Sequence, residues 1–256
     1  MNVMRRYEYM QRDYLSEKQI SLYDEIIALV EQHKEIKAYT EVSEDEIMEV
    51  IVAILCDYPE YGVAWDYAYS VHECQNQKGR FVQSGYMYDK SKAKVMLHCI
   101  DNYIRENICP YVKNAGCKTE KDIVTAIYTY LAGVLKYTSK QEVRNGKTTF
   151  PHKAYTLETL CDLEGVCQGI SLSLIYILRA YEIECLFIRG RTDDESDKDN
   201  GELTHGWCLV KLDGTYYHLD LTWDLQEQEF QYFLLTDAEM YMRHHRWDYD
   251  AYPKAG

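Results

Sequence analysis

Three residue types that can do acyl-transfer chemistry together occur far apart in this chain: a cysteine, a histidine and an aspartate. Cys167 stands in Gly165-Val166-Cys167-Gln168-Gly169 and opens a helical stripe of Ile170, Leu174, Ile177 and Tyr181. Free backbone N–H groups and the positive end of a helix dipole favour an anion at such a position, so the Cys167 thiol is predicted to ionise readily. Its N–H is a candidate oxyanion donor, and the flanking glycines leave room for a substrate carbonyl. Further along, Thr204–Leu212 and Thr215–Trp223 read as two strands joined at Asp213-Gly214, a two-residue hairpin signal. A tight turn there pairs Trp207 with Asp220 and His205 with Thr222. His205, Trp207, Leu209, His218, Asp220 and Thr222 then share one face, and Cys208, Val210, Leu212, Tyr217, Leu219 and Leu221 the other. His205 and Asp220 become diagonal neighbours, and the carboxylate can hold the imidazole in one tautomer. A helix start facing His205 would complete a thiolate–imidazolium pair backed by a carboxylate.

The elements that must position these groups follow from periodicity. Residues 1–115 read as helical. Ser16–His33 carries Ile20, Tyr23, Ile27 and Val30 in a stripe, and Ser43-Glu44-Asp45-Glu46 is a capping box before Ile47, Val50, Ile51 and Ile54. Pro59 should stop that helix, Asn76–Ser84 should be a loop or short hairpin, and Pro110 should end a helix running from Ser91 to Asn107. Thr119, with Asp122 three residues later, opens a helix to Tyr137, and Ser139–Pro151 reads as a loop. Beyond residue 160 the pattern becomes mixed. Glu184–Arg191 and Gln231–Thr236 are further strands, Asp237 is expected to cap a last short helix, and Thr192–Glu202 is an acidic loop. The expected division is a helical region at 1–115 and a mixed domain at 116–256.

Bulk properties bound the partners. A net charge of −14 makes a phosphate-rich partner repulsive, so neither nucleic acid nor an anionic membrane surface is expected. Tyrosine outnumbers phenylalanine 25 to 5, which suits half-buried positions and grooves that hold polypeptide. The nine cysteines include no C-x-x-C pair. Cys56, Cys99, Cys185 and Cys208 lie among apolar residues and read as small buried hydrophobes, which leans towards a reducing compartment. No apolar run reaches 18 residues and the N-terminus has no signal-like core. A cytoplasmic location is therefore expected, or a secreted one had a signal been trimmed. Asp193, Asp194, Glu195, Asp197 and Asp199 lack the glycine and terminal glutamate of a calcium loop. His244 and His245 are adjacent and point apart on helix or strand. No metal and no cofactor are predicted.

The runs Gly165-Val166-Cys167-Gln168-Gly169, Thr204-His205-Gly206-Trp207 and Tyr217-His218-Leu219-Asp220-Leu221-Thr222-Trp223-Asp224, in this order, resemble the transglutaminase-like core family over about residues 120–240. The resemblance implies an α+β, papain- or transglutaminase-like core, with the cysteine-bearing helix packed on an antiparallel sheet, here preceded by a helical N-terminal region. It assigns the nucleophile to Cys167, the general base and acid to His205 and the orienting carboxylate to Asp220. Cys208 stands where many relatives have asparagine, and Cys161 where papain-like enzymes have glutamine; Tyr155 and Gln168 are further candidates for the second oxyanion donor. Bacterial-looking relatives of this size are often assigned as proteases. The resemblance therefore leans to a cysteine protease acting as a hydrolase on peptide or glutamine amides through a thioester, with a protein or peptide substrate. Transamidation to an amine, or a non-catalytic binding module that keeps the fold, are the alternatives. Deglycosylation on the same core would bring zinc-binding cysteine pairs, which this chain lacks.

Overall fold

The computed structural model describes residues 10–74, 78–139, 142, 151–193, 205–225 and 230–256. Two compact units emerge, Met1–His98 and Cys99–Gly256; the sequence reading put the division near residue 115.

In the first unit, helices α1 (Glu17–Gln32) and α2 (Glu44–Asp57) both start on capping boxes, Ser16 with Gln19 and Ser43 with Glu46. Each serine accepts an N–H that would otherwise lack a partner, and each third residue returns the bond. The buried face of α1 is Leu22, Tyr23, Ile26 and Val30, rotated by about one residue from the expected stripe. The Tyr23 hydroxyl donates to Asp57 at 2.8 Å, which draws that face towards the end of α2. Three strands, β1 (Ile36–Thr40), β2 (Trp65–Glu73) and β3 (Arg80–Tyr86), form an antiparallel sheet in the order β1-β3-β2. The region expected to be helical thus also contains a sheet: β3 covers much of Asn76–Ser84, expected as a loop or short hairpin, and pairs antiparallel with β2, while β1 was not expected. The sheet's strands mix tyrosines with charged residues and are pinned by long-range contacts, such as the Trp65 indole donating to Ser84 Oγ at 2.7 Å.

Helix α3 (Lys90–Tyr103) continues through a wide π-type turn, Ile104–Ile108, into α4 (Cys109–Asn114). Pro110 therefore does not end the helical run. A regular α-turn would press its ring on the carbonyl four residues back; the wider turn relieves this, and in the first turn of α4 the missing N–H is not needed. Cys99, expected to be buried, is exposed. Helix α5 (Glu120–Val134) begins on the predicted Thr119–Asp122 box. Two short strands, β4 (Lys136–Tyr137) and β5 (Glu164–Gly165), pair in parallel just ahead of helix α6 (Cys167–Ala180). Most of the expected loop after Ser139 lies outside the described residues.

Helix α6 is buried nearly all round, rather than on one stripe as its periodicity suggested. It packs on a five-stranded antiparallel sheet of order β10-β6-β7-β8-β9. Those strands are β6 (Cys185–Thr192), β7 (His205–Leu212), β8 (Thr215–Leu219), β9 (Phe233–Leu235) and β10 (His245–Trp247). This is the expected α+β arrangement of a cysteine-bearing helix on an antiparallel sheet. The β7–β8 register is the predicted one, Leu212 against Thr215 through Cys208 against Leu219. The ladder then stops. Asp220 leaves the strand and caps a helical turn, Leu221–Asp224, by accepting the Trp223 N–H at 3.2 Å. Thr222 is consequently not opposite His205. The last helix, α7 (Asp237–Met242), is capped by Thr236 and not by Asp237, because Thr236 and Glu239 form a capping box. The expected acidic loop falls almost wholly outside the described residues. Among those described, no helix is long and apolar enough to cross a membrane.

Candidate active site

Cys167 is the first residue of α6, and the N-cap, Val166, offers no side-chain acceptor to the first turn. The positive end of the dipole of this 14-residue helix therefore lies at the thiol. Gly169 has a packing reason that the sequence reading did not give. A Cβ there would strike the Ala154 carbonyl and the Thr159 hydroxyl, so the glycine lets the turn around Ala154 lie against the helix start. The Val166 N–H donates to Ala154 O at 3.0 Å, and the Gln168 side-chain amide to Tyr155 O at 3.1 Å. Gln168, considered as an oxyanion donor, spends an N–H on that turn.

His205 begins β7, where it is 7% exposed, and it hydrogen-bonds the Cys167 thiol. Its Nε2 lies 2.5 Å from Asp220 Oδ2, which leaves Nδ1 as the edge turned to sulfur. The structure therefore brings Cys167, His205 and Asp220 together through one imidazole. Asp220 is fully buried; its Oδ1 accepts the Trp223 N–H and its Oδ2 faces His205. Burial alone would lower the His205 pKa, but the Asp220 charge and hydrogen bond, aided by Cys167, raise it to about 10. Burial likewise pushes Asp220 up, and the His205 charge outweighs it, holding the carboxylate well below its usual range.

Aromatic residues fix the imidazole. Trp207 stacks on His205 with ring centroids 5.6 Å apart and 25° between planes, and Trp223 meets it edge-on at 6.4 Å. The Trp207 indole donates to His218 Nδ1 at 2.9 Å, and His218 Nε2 lies 2.9 Å from Asp237 Oδ1. An indole only donates, so Nδ1 must accept and Nε2–H must point to Asp237. Burial holds His218 below its ordinary pKa, in keeping with that neutral tautomer. Cys208 sits beside Cys185, whose thiol donates to Ile175 O of α6.

A fourth residue, His245 of β10, was not anticipated. It is fully buried, and its Nε2 lies 2.9 Å from the same Asp220 Oδ2 that His205 meets. No pattern in the tail revealed it, since its position depends on β10 pairing with β6, His245 against Thr192. Among the described residues, the ligand atoms of His205, Asp220 and His245 lie within 4.8 Å of one another. An ion held at ordinary zinc distances keeps neighbouring ligand atoms about 3.3 Å apart. The separations of 2.5 and 2.9 Å are those of direct hydrogen bonds.

Residues 110–221 match the sequence model of the transglutaminase-like superfamily, a span that holds Cys167, His205 and Asp220 but not His245. No curated protein matches the chain. Among solved structures, the chain is similar to a TGase at 11% identity and a TM-score of 0.41, over 77% of this chain and 53% of that one. It is also similar to a candidate cysteine protease from Cytophaga hutchinsonii, at 14% identity, TM-score 0.34, 60% of this chain and 62% of that one. A third is a candidate protease from Parabacteroides distasonis, at 14% identity, TM-score 0.30, 59% of this chain and 33% of that one. The chain thus spans less than two thirds of the length of each.

Proposed function

We propose that this protein is a cysteine acyl-transfer enzyme acting on peptide or glutamine amide carbonyls, with Cys167 as nucleophile, His205 as acid and base, Asp220 as orienting carboxylate and water as acceptor. The observation that carries this reading is the single buried imidazole of His205, bonded to the Cys167 thiol on one side and to Asp220 on the other. Its raised pKa suits a resting thiolate–imidazolium pair at the mouth of α6. The Cys167 sulfur attacks the carbonyl carbon, and the oxygen that gains charge develops at the positive end of the helix dipole. The C–N bond breaks as His205 gives its proton to the departing nitrogen, leaving a thioester on Cys167. His205, now neutral, takes a proton from water; the hydroxide adds to the carbonyl, the C–S bond breaks, and the ion pair is restored.

An amine in place of water would give transamidation by the same steps. The leaning to water comes from the resemblance to bacterial relatives assigned as proteases. A protein or peptide substrate is the proposed partner, and neither nucleic acid nor membrane is part of the proposal.

The test is incubation with a casein-like protein and a labelled primary amine, comparing wild type with C167A. New protein termini or released ammonia, absent with C167A, support hydrolysis. Label incorporation supports transamidation. No Cys167-dependent product of either kind across a panel of proteins and peptides would favour a binding module that keeps the fold.

A further inference from the structure

The mechanism above uses one of the two imidazoles that meet Asp220. We infer that His245 is a positioning residue for that mechanism: it donates from Nε2 to Asp220 Oδ2 and so divides the carboxylate's hold between two rings. The inference rests on the proposed acyl-transfer reading. It concerns a residue outside the segment that matches the family.

Three observations carry it. First, Oδ2 is contacted by His205 Nε2 at 2.5 Å and by His245 Nε2 at 2.9 Å, while Oδ1 takes the Trp223 N–H. An ionised carboxylate only accepts, so both imidazoles must present N–H to it. Second, His245 is oriented from behind. Its Nδ1 lies 3.0 Å from the Arg243 carbonyl, also an acceptor, and its ring is enclosed by Trp207, Trp223 and Tyr232 at centroid distances of 5.1, 5.3 and 5.4 Å. A ring whose two nitrogens both face acceptors, inside a box of aromatic faces and edges, is held in one orientation. Third, the chain is folded to deliver it. His244 adopts a left-handed φ of 65°, which turns the backbone after α7 so that His244 is exposed and His245 enters the interior. Left-handed backbone is unfavourable at a non-glycine and persists only where the surroundings impose it. Here they do: the Asp193 N–H donates to His244 O at 2.9 Å, and β10 pairs with β6.

The chemical consequence follows from charge. Ionised Cys167, charged His205 and ionised Asp220 would leave a buried group with one net negative charge; a second donor on Oδ2 offsets part of it. It also weakens the pull of Asp220 on His205, making the imidazolium a readier acid towards the leaving nitrogen. Among the described residues, the titratable groups facing His245 are Asp220, His205 and Tyr232, with His218 nearby.

The test needs no substrate. Alkylation of Cys167 by iodoacetamide is followed against pH, by mass mapping, in wild type, H245F, H245Q and H244N. Phenylalanine keeps the ring in its aromatic box without the donor; glutamine keeps an N–H near the Nε2 position; H244N alters only the exposed neighbour. The expected result is a wild-type rate that levels off at mildly acidic pH and changes again when His205 loses its proton. That alkaline inflection should move upward by about half a unit or more in H245F, return towards wild type in H245Q and stay put in H244N. An H245F inflection equal to wild type overturns the role of His245 and leaves the acyl-transfer reading intact. A wild-type profile with no acidic plateau overturns both. Should H245F fail to fold, proton NMR of wild type and D220N decides: two downfield imidazole N–H signals that vanish in D220N, beside a His218 signal to Asp237 that persists, support the assignment, and only one vanishing overturns it.

Discussion

Proton placement along Cys167, His205, Asp220 and His245 is governed by burial and by the acceptor-only character of the carboxylate. A buried carboxylate in this position is costly unless every oxygen is met, and three donors meet it here. D220N keeps the shape, but its amide nitrogen cannot accept a bond, which disfavours the ring orientation that aims Nδ1 at sulfur. A loss of roughly 10³–10⁴-fold in turnover with little change in folding is expected, as for other orienting carboxylates; steady-state rates and circular dichroism on the pure variant check it. C167A should abolish turnover while changing stability by about 1 kcal/mol or less, because little volume is removed. A C167A protein that keeps full activity would remove the nucleophile from the account. At this scale the sequence was informative. Cys167, His205 and Asp220 were legible because their neighbours form ordered motifs, whereas His245 was not, because nothing local marks a histidine whose partner is 25 residues upstream.

Elements explain why those side chains meet. The β7–β8 register could be read from Asp213-Gly214, since a two-residue turn fixes every pair above it. The end of the ladder could not, because Asp220 leaves the strand only once its side chain has found the Trp223 N–H. Capping boxes at Ser43 and Thr119 were legible for a local reason, a hydroxyl three residues before a carboxylate. Strands β1 and β10 were missed because short strands take their pairing from distant chain, here β3 and β6. Helix α6 also makes a prediction of its own. In G169A the new Cβ would press on the Ala154 carbonyl and Thr159, backbone and side chain that cannot both retreat. Destabilisation of about 1–3 kcal/mol is expected, with slower Cys167 labelling, and urea unfolding measures the first. An unchanged unfolding midpoint would show that the turn at Ala154 is not packed against the helix start.

For the whole molecule, the buried charges link chemistry to stability. His205 is raised from 6.5 to about 10 in the folded protein, so its contribution is complete below pH 6.5 and is lost as pH rises through 10. Asp220 is lowered from 3.8, so its contribution is present above that pH and fades as pH falls below it. The thermal midpoint should therefore decline between about pH 7 and 10, and D220N should flatten the decline; equal slopes in the two proteins would mean that His205 is not held by Asp220. The N-terminal unit, Met1–His98, is compact in its own right. The unit's sheet and helices build a separate hydrophobic core around Ile26, Ile47 and Ile54, and none of its residues enters the proposed chemistry. Competing thiols can be ranked from structure: Cys56, Cys185 and Cys208 are buried, and burial pushes Cys161 up to about 11 although part of that residue is exposed. The most direct measurement is the rate at which iodoacetamide modifies each of the nine cysteines of the native protein at pH 6. Cys167 reacting first, despite being buried, is the predicted result; Cys167 among the slowest would contradict an ion pair with His205.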